Sequence, residues 1–379
     1  MDDHSQPAKR VLFLFSDTGG GHRSAASAII EALELEFPGG TRCEMVDILK
    51  DYGPPPINYA PEIYPPLSRM PHLWELGYRA SDGRRRSQML YQALWPYIRY
   101  SLDALMRDYP ADLVVSVHQF INAPVARALA RRKVPFVTVV TDMVSTHAFW
   151  FDPRASLIIV PTEAAKQRGL QMGALAERLR VAGQPVAERF RQPPADRVET
   201  RRALGWREDL PVALLVGGGE GMGPLEAVAQ AIDHAGLPLT LAMVAGRNRA
   251  LEKRLKARAW QSLAFIYGFV TNMPDLMRAA DILVTKAGPG TISEGFIAGL
   301  PQILYSKMPG QEDGNVTYVV DESAGVWAPE PAQVVATLRE WLEQPAAMAQ
   351  FAANSRRLAN PDASRQIARL LGGVLGLDV

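Results

Sequence analysis

Short apolar runs alternate with longer amphipathic stretches along most of the chain. In the first half these runs are VLFLF at 11–15, DLVVSV at 112–117, FVTVV at 136–140 and SLIIV at 156–160. Continuous apolar runs of this length are typical of strands buried on both faces of a parallel sheet. Residues 24–37 carry apolar side chains at helical spacing and end at a Pro-Gly-Gly turn, which predicts a helix after the first strand.

The alternation starts again after residues 183–198, a proline-bearing stretch that we interpret as a linker. The apolar runs that follow are PVALLV at 211–216, then LPLTLAMVAG, SLAFIYGF, ADILVT and PQILYS. The pattern predicts an α/β protein made of two doubly wound halves. Ligands of such folds bind beyond the carboxyl ends of the strands, so each glycine-rich loop after a strand is a candidate site.

Composition adds limits to this picture. A chain of 379 residues agrees with two domains, and 47% hydrophobic residues is too many for a disordered protein. A formal charge of +1 gives no general attraction to nucleic acid, which we exclude as a partner.

The single cysteine, Cys43, excludes an internal disulfide and fits a reducing cytoplasm. The polar start, MDDHSQPAKR, is unlike a secretory signal, and no apolar run approaches the roughly 18 residues that span a membrane.

One segment, 50–107, interrupts the alternation with proline, tyrosine and tryptophan. From 69 to 107, seven arginines outnumber three acidic residues, which gives a local charge of +4. Basic charge mixed with aromatic side chains is typical of a surface that binds anionic lipid headgroups. A helical pair with a solvated basic face is the alternative that composition leaves open. The candidate membrane residues are Trp74, Arg84, Arg85, Arg86 and Trp95.

The first motif, FSDTGGGHRSA at 15–25, places His22 at the start of the predicted helix. A helix N-terminus disfavours a protonated imidazole, so a neutral His22 is suited to act as a general base. The alternative is a dinucleotide-binding loop with an incidental histidine. The GGGH spacing differs from G-x-G-x-x-G, and only Asp47 could serve as the acidic residue that contacts a ribose.

Two further motifs lie in the second half. The first of them, LLVGGGEGMGPLEA at 214–227, predicts a glycine loop that surrounds a pyrophosphate. A flexible turn is the alternative. The motif is not a Walker A loop, because it lacks the lysine of that loop. In VTKAGPGTISEG, a strand ends at Lys286, Thr291 begins a helix and Glu294 follows in its second turn, which suits a phosphate and a ribose. Gln311, Glu312 and Asn315 follow the next strand, as a sugar with several hydroxyls would require. Together these features indicate a nucleotide-sugar.

The motifs SDTGGGHRSA, FVTVVTDMVSTHAFWF, GGGEGMGP, VAGRN, TKAGPGTISE and PGQEDGN resemble those of the monogalactosyldiacylglycerol synthases in order and spacing. The resemblance runs from about residue 11 to about residue 345. It implies a GT-B fold, in which two facing Rossmann-like domains enclose a cleft. Residues 1–190 would bind diacylglycerol at the membrane and include the 50–107 insertion, 191–345 would bind UDP-galactose, and 346–379 would form helices that pack back on the N-terminal domain.

The resemblance also implies roles for individual residues in an inverting transfer of galactose. His22 would be the general base that takes the proton from the acceptor hydroxyl. The acceptor side would include Gly20, Gly21, Asp142 and His147. The donor-binding residues would be Gly217, Gly218, Gly219, Glu220, Gly221, Met222, Arg247, Phe269, Val270, Gly288, Pro289, Gly290, Thr291, Glu294, Gln311, Glu312 and Asn315.

We expect neither a cofactor nor a metal, because helix N-termini and glycine amides can stabilise a leaving diphosphate and the six histidines lack the paired spacing of a metal site. The expected partners are UDP-galactose or UDP-glucose, diacylglycerol and anionic membrane lipids, without an obligate protein partner. The expected location is the cytoplasmic, inner face of the cell membrane. Two alternatives remain open, a UDP-glucose-dependent diacylglycerol glucosyltransferase and a non-catalytic nucleotide-sugar or lipid-binding protein. For His118, a buried structural histidine is the favoured interpretation.

Overall fold

A computed structural model describes residues 7–18, 21–67, 70–192 and 196–377. The chain divides into two units, each with its own parallel sheet. The first unit contains Met1–Glu188, Pro309–Gln311 and Asp362–Val379, and the second contains Arg189–Met308 and Glu312–Pro361.

Six parallel strands form the sheet of the first unit, in the spatial order β2-β1-β3-β4-β5-β6. Alternate residues of the first strand are buried on opposite faces, as the continuous apolar run predicts. Phe13 packs in the cluster below helix α1, while Leu12 and Leu14 pack in the cluster on the other face. The strands are β1 (Lys9–Phe15), β2 (Thr41–Asp47), β3 (Leu113–Ser116), β4 (Phe136–Val139), β5 (Leu157–Val160) and β6 (Leu179–Val181).

Helices cover both faces of this sheet, and several of them belong to the 50–107 insertion. The helix after the first strand begins at Gly21, three residues earlier than the sequence pattern predicts. That difference places His22 inside the first turn instead of before it. The helices are α1 (Gly21–Glu36), α2 (Ile48–Tyr52), α3 (Ala60–Leu67), α4 (Pro71–Ser81), α5 (Arg84–Asp108), α6 (Asn122–Leu129) and α7 (Glu163–Gln171).

The second unit repeats this architecture with the strand order β12-β11-β10-β7-β8-β9. Its strands are β7 (Val212–Val216), β8 (Thr240–Val244), β9 (Ala264–Tyr267), β10 (Ile282–Lys286), β11 (Gln302–Ser306) and β12 (Gly325–Trp327). Its helices are α8 (Arg197–Leu204), α9 (Leu225–His234), α10 (Arg249–Ala257), α11 (Met273–Ala279), α12 (Pro289–Ile297), α13 (Asp313–Asp321), α14 (Pro331–Glu343) and α15 (Pro345–Leu358). Since both sheets are parallel and flanked by helices, the α/β prediction is confirmed.

The last helix, α16 (Ala363–Leu375), returns to the first unit and packs against α1. Its apolar face, with Ile367 and Leu371, completes the cluster that holds Phe13 and Leu33. Helix α15, by contrast, packs against α12 and α14. Within residues 346–379, therefore, α16 packs on the N-terminal half of the chain, whereas α15 belongs to the second unit.

Candidate functional site

His22 lies at the carboxyl end of the first sheet, where residues after β1, β3 and β4 come together. The side chain is buried, and its Nδ1 atom lies 3.1 Å from the Thr141 hydroxyl oxygen. The ring also donates to the backbone carbonyl of Val117. A carbonyl only accepts, so the nitrogen that faces it carries the proton and the other nitrogen keeps the lone pair that a base needs.

Burial holds His22 in its neutral form. It lowers the pKa from 6.5 to about 4, although the Val117 carbonyl and the carboxylates of Asp17 and Asp47 act in the opposite direction. The sequence alone predicts a neutral His22 from its place at a helix N-terminus, whereas the largest physical cause in the structure is desolvation. At neutral pH the imidazole is unprotonated and can accept a proton.

His118 stands beside His22, and its ring centroid is 4.5 Å from that of His22 in an edge-to-face arrangement. Its Nε2 atom lies 2.9 Å from the Thr18 hydroxyl, while its buried Nδ1 has no hydrogen-bond partner among the described residues. Burial lowers its pKa well below 6.5, and His22 lowers it further. The sequence favours a structural role for His118 and does not single out Thr18 or Thr141. Each threonine follows a strand of the same parallel sheet, and this shared position at the carboxyl ends could have indicated their proximity.

The acceptor-side candidates occupy different surroundings. Asp142 is buried and accepts from the indole Nε1 of Trp150 at 2.6 Å, and the Trp150 ring lies 6.4 Å from His22. His147 caps the short helix 148–150 through Nδ1, which accepts from the Phe149 amide, and its ring meets that of Tyr78. Burial lowers the pKa of His147. Gly21 begins α1, and Gly20 lies outside the described residues.

In the second unit, the glycine loop after β7 is folded tightly against the end of β8. Gly218, Gly221 and Gly223 have positive φ angles, and a Cβ at Gly221 would collide with the carbonyl oxygen of Ala245. The amide of Met222 donates back to the carbonyl of Gly217 at 2.7 Å, which closes the loop. The glycines are therefore required by the close packing of the loop itself, and its contact with a diphosphate stays a prediction.

Three candidates for the donor pocket form a cluster next to this loop. The Arg247 guanidinium donates to Glu220 at 2.7 Å and lies 5.4 Å from the centre of the exposed Phe269 ring. Val270 follows Phe269 in the same loop. The structure thus brings together the residues predicted for the uracil side, and their role stays a prediction.

Helix α12 starts at the neighbouring strand end, with Gly288 as its N-cap and Pro289 in its first turn. No described side chain caps the helix, and a Cβ at Gly290 would meet no atom within 4 Å. The first turn, including Thr291, therefore has backbone amides that no described side chain caps and that have no acceptor within the helix. Burial raises the pKa of Glu294 to about 7, and the charge of Arg189 lowers it.

The three candidates for the hexose differ in what they contact. Glu312 is buried, with its carboxylate bound to the Lys286 ammonium at 2.6 Å and the Met308 amide at 2.8 Å. The Asn315 amide donates to the carbonyl of Ala287 at 2.9 Å. Gln311 belongs to the segment that groups with the first unit, where its amide donates to Asp142. The contacts of these three residues to a hexose stay a prediction.

The insertion exposes a broad apolar surface on α3, α4 and α5. Trp74 and Trp95 are half-buried, and the Arg127 guanidinium covers the Trp95 ring at 4.2 Å. Arg84, Arg85 and Arg86 are all exposed, and Arg84 also packs against Gly173 beside a groove of about 410 Å³. The large apolar side chains that solvent reaches are Tyr59, Ile63, Met70, Leu73, Leu76, Met89, Leu90, Tyr97 and Tyr100. We define these nine residues with Arg85 and Arg86 as the insertion surface.

In the part of the chain that the structure describes, no helix is both long enough and apolar enough to cross a bilayer. No three histidine, cysteine, aspartate or glutamate side chains in that part of the chain lie together as metal ligands would.

Comparisons with known proteins place the chain in a family. The family model described as monogalactosyldiacylglycerol (MGDG) synthase matches residues 22–186, and that of the glycosyltransferase family 28 C-terminal domain matches residues 213–367. A protein of Glycine max named as a probable chloroplastic monogalactosyldiacylglycerol synthase is 37% identical over 367 residues, which cover 94% of this chain and 69% of that protein. The chloroplastic monogalactosyldiacylglycerol synthase 1 of Arabidopsis thaliana is 35% identical over 367 residues, which again cover 94% of this chain and 69% of that protein.

Solved structures agree on the fold. Acinetobacter baumannii MurG is 16% identical, with a TM-score of 0.61 and coverage of 96% of this chain and 99% of its own. The S. aureus MnaA–UDP complex is 14% identical, with a TM-score of 0.65 and coverage of 98% of both chains. The predicted GT-B fold class is confirmed by these likenesses. Because more than a third of the aligned residues are identical to those of the plant enzymes over 94% of this chain, the chain belongs to the monogalactosyldiacylglycerol synthase family.

Proposed function

We propose that this protein transfers galactose from UDP-galactose to the free hydroxyl of 1,2-diacylglycerol and so makes monogalactosyldiacylglycerol at a membrane surface. The observation that carries the proposal is the buried, neutral His22 at the carboxyl end of the first sheet, in a chain whose plant relatives bear that enzyme's name. Transfer inverts the anomeric carbon in a single displacement.

In this displacement, the acceptor oxygen forms a bond to C1 of the galactose while the bond from C1 to the β-phosphate oxygen breaks. The unprotonated nitrogen of His22 takes the acceptor's proton, and the electron pair of the broken bond leaves with UDP. The glycine loop after β7 and the first turn of α12 offer backbone amides to the leaving diphosphate. The protein's own groups therefore suffice for the step, and we propose that it requires neither a metal nor a cofactor.

The protein would act as a peripheral membrane enzyme on the cytoplasmic, inner face of the cell membrane. The insertion surface supports this because exposed apolar side chains and the arginines Arg85 and Arg86 lie on consecutive helices. Apolar side chains would enter the interface, and the arginines would attract anionic lipids. The nearly neutral total charge gives no support for a nucleic-acid partner, and an obligate protein partner is not part of the proposal.

Product analysis tests the reaction, the donor and the acceptor together. The purified protein is incubated with vesicles that contain diacylglycerol and with either labelled UDP-galactose or labelled UDP-glucose, and the lipids are separated. We expect labelled monogalactosyldiacylglycerol from UDP-galactose and at least tenfold less product from UDP-glucose. A tenfold difference corresponds to the free energy of about one hydrogen bond, which the epimeric hydroxyl of glucose would lose. Preferred glucose transfer would make the protein a diacylglycerol glucosyltransferase. Binding of UDP without any transfer would make it a non-catalytic binding protein.

A further inference from the structure

Lys286, the last residue of β10, lies between two elements that the proposed function assigns to the donor diphosphate. Its Cε atom is 3.2 Å from where a Cβ would stand at Gly218, and its Nζ atom is 2.9 Å from the corresponding point at Gly288. Gly218 belongs to the glycine loop and Gly288 caps α12. The ammonium therefore lies beside the backbone of both elements.

The strand geometry at this position directs the side chain there. The register between β10 and β11 shifts between Thr285 and Lys286, so that Lys286 pairs with Ser306. Such an irregularity changes the direction of a side chain at the end of a strand and is frequent next to functional sites. Lys286 is partly exposed, whereas its neighbours in the chain, Thr285 and Ala287, are fully buried.

Glu312 fixes the ammonium in this place. Its carboxylate binds Lys286 at 2.6 Å through Oε1 and the Met308 amide at 2.8 Å through Oε2. The pair is mostly buried, with side-chain exposures of 18% for Lys286 and 6% for Glu312. Because Glu312 is held by backbone as well, the lysine has little freedom to move away.

The local electrostatics favour an additional anion. A helix N-terminus carries a partial positive charge, so a lysine ammonium beside α12 is unfavourably placed by itself. Glu312 contributes one negative charge, whereas the lysine, the helix end and the loop amides are all positive. The negative charge of a bound diphosphate would balance these positive charges, which explains why a lysine lies beside a helix N-terminus.

We propose that Lys286 contacts the diphosphate of the donor and stabilises UDP as it leaves, and that Glu312 positions Lys286 instead of contacting the hexose. This inference rests on the proposed function for the position of the diphosphate. As the bond between C1 and the β-phosphate oxygen breaks, the electron pair remains on that oxygen. The Lys286 ammonium neutralises the new charge electrostatically, and the step at this site involves no proton transfer.

Binding of UDP and of uridine, measured by calorimetry with the full chain, tests the contact. Lys286→Met should weaken UDP binding by about 10- to 100-fold and leave uridine binding unchanged, because only UDP carries the diphosphate. Lys286→Arg should retain most of the affinity for UDP. Lys256→Met, which removes an exposed lysine paired with Glu252, is the matched control and should change neither affinity.

A double variant separates contact from structural support. If Lys286 served only to neutralise buried Glu312, Lys286→Met combined with Glu312→Gln would restore UDP binding. We expect it to remain weak, with unfolding at the wild-type temperature as the check on folding. Restored binding, or unchanged UDP binding in Lys286→Met, would overturn the inference. A wild-type protein that binds neither UDP nor uridine would instead overturn the proposed function and this inference with it.

Discussion

The Nδ1 atom of His22 and the hydroxyl oxygen of Thr141 lie 3.1 Å apart, although 119 positions separate the two residues in the chain. Thr141 follows β4 and His22 follows β1, so the shared carboxyl edge of the parallel sheet makes the contact. Together with the carbonyl of Val117, the hydroxyl fixes the orientation of the imidazole ring.

Replacing the proposed base should remove catalysis without removing donor binding. We expect His22→Ala to lower kcat by about 10²- to 10⁴-fold, the usual contribution of a general base. UDP affinity should stay at the wild-type value, because all of the proposed donor residues except Gln311 lie in the second unit. His234→Ala, a change of an exposed histidine, is the control. A full transfer rate in His22→Ala would remove His22 from the mechanism.

The pH dependence of the reaction should reflect the lowered pKa of His22. With a pKa of about 4 instead of 6.5, the base is already unprotonated at pH 6, so kcat/KM should be flat from about pH 6 upward and fall only toward pH 4. An acid limb centred at 6.5 would contradict the neutral, desolvated imidazole.

The lowered pKa of His22 also makes the free energy of unfolding depend on pH. Because its folded pKa is lower than its unfolded pKa, the unfolded chain binds a proton between pH 6.5 and about 4 that the folded protein does not. The free energy of unfolding should therefore decrease as pH falls through that interval. Urea denaturation at several pH values measures it, and His22→Asn should reduce the slope.

Gly246 should be essential for the shape of the glycine loop. A Cβ at this position would lie 2.6 Å from the carbonyl oxygen of Gly218 and collide with that of Gly219. We expect Gly246→Ala to lower UDP affinity at least tenfold by displacing the loop. Gly236→Ala is a matched control, because its φ of +61° nearly equals the +60° of Gly246 and its Cβ would meet no atom within 4 Å. Equal UDP affinities in the two variants would contradict the steric explanation.

Arg365 should stabilise the first unit through α16. It binds Glu188 at 2.8 Å and Glu36 at 2.7 Å, and both carboxylates are largely buried. Arg365→Met leaves them without this partner and should lower the free energy of unfolding by about 1–3 kcal/mol. Arg357→Met removes a more exposed pair with Glu322 and should cost less than about 1 kcal/mol. Urea denaturation compares them, and equal effects would contradict the role of burial.

Membrane binding should separate into an apolar and an electrostatic part. Leu76 and Met89 are 67% and 69% exposed, and changing both to serine should weaken binding to neutral and anionic vesicles alike. Changing Arg85 and Arg86 to serine should weaken only binding to anionic vesicles, by about fivefold per arginine, and added salt should reduce the difference.

Leu263→Ser and Arg339→Ser, exposed positions on the second unit, are the vesicle-binding controls. Sedimentation with vesicles gives the affinities. Wild-type protein that binds neutral and anionic vesicles equally would contradict the electrostatic part.

The buried strands could be predicted from sequence because their apolar runs are continuous. Strands β6 (LRV) and β12 (GVW) could not, since each has three residues and lies at a sheet edge, where one side needs no apolar partner. The glycine loops were predicted from composition. The contacts of His118 with Thr18 and of Lys286 with Glu312 were not, because a side chain's neighbours across a sheet depend on register and strand order, which a single sequence does not specify.

The return of α16 to the first unit has a consequence for synthesis of the protein. The second unit, up to Pro361, leaves the ribosome before the helix that completes the core around Phe13 and Leu33. The half of the chain made first therefore finishes folding last, and until then the apolar face of α1 has no cover from α16. A fragment that ends at residue 188 would need α16 joined to it to cover the apolar face of α1.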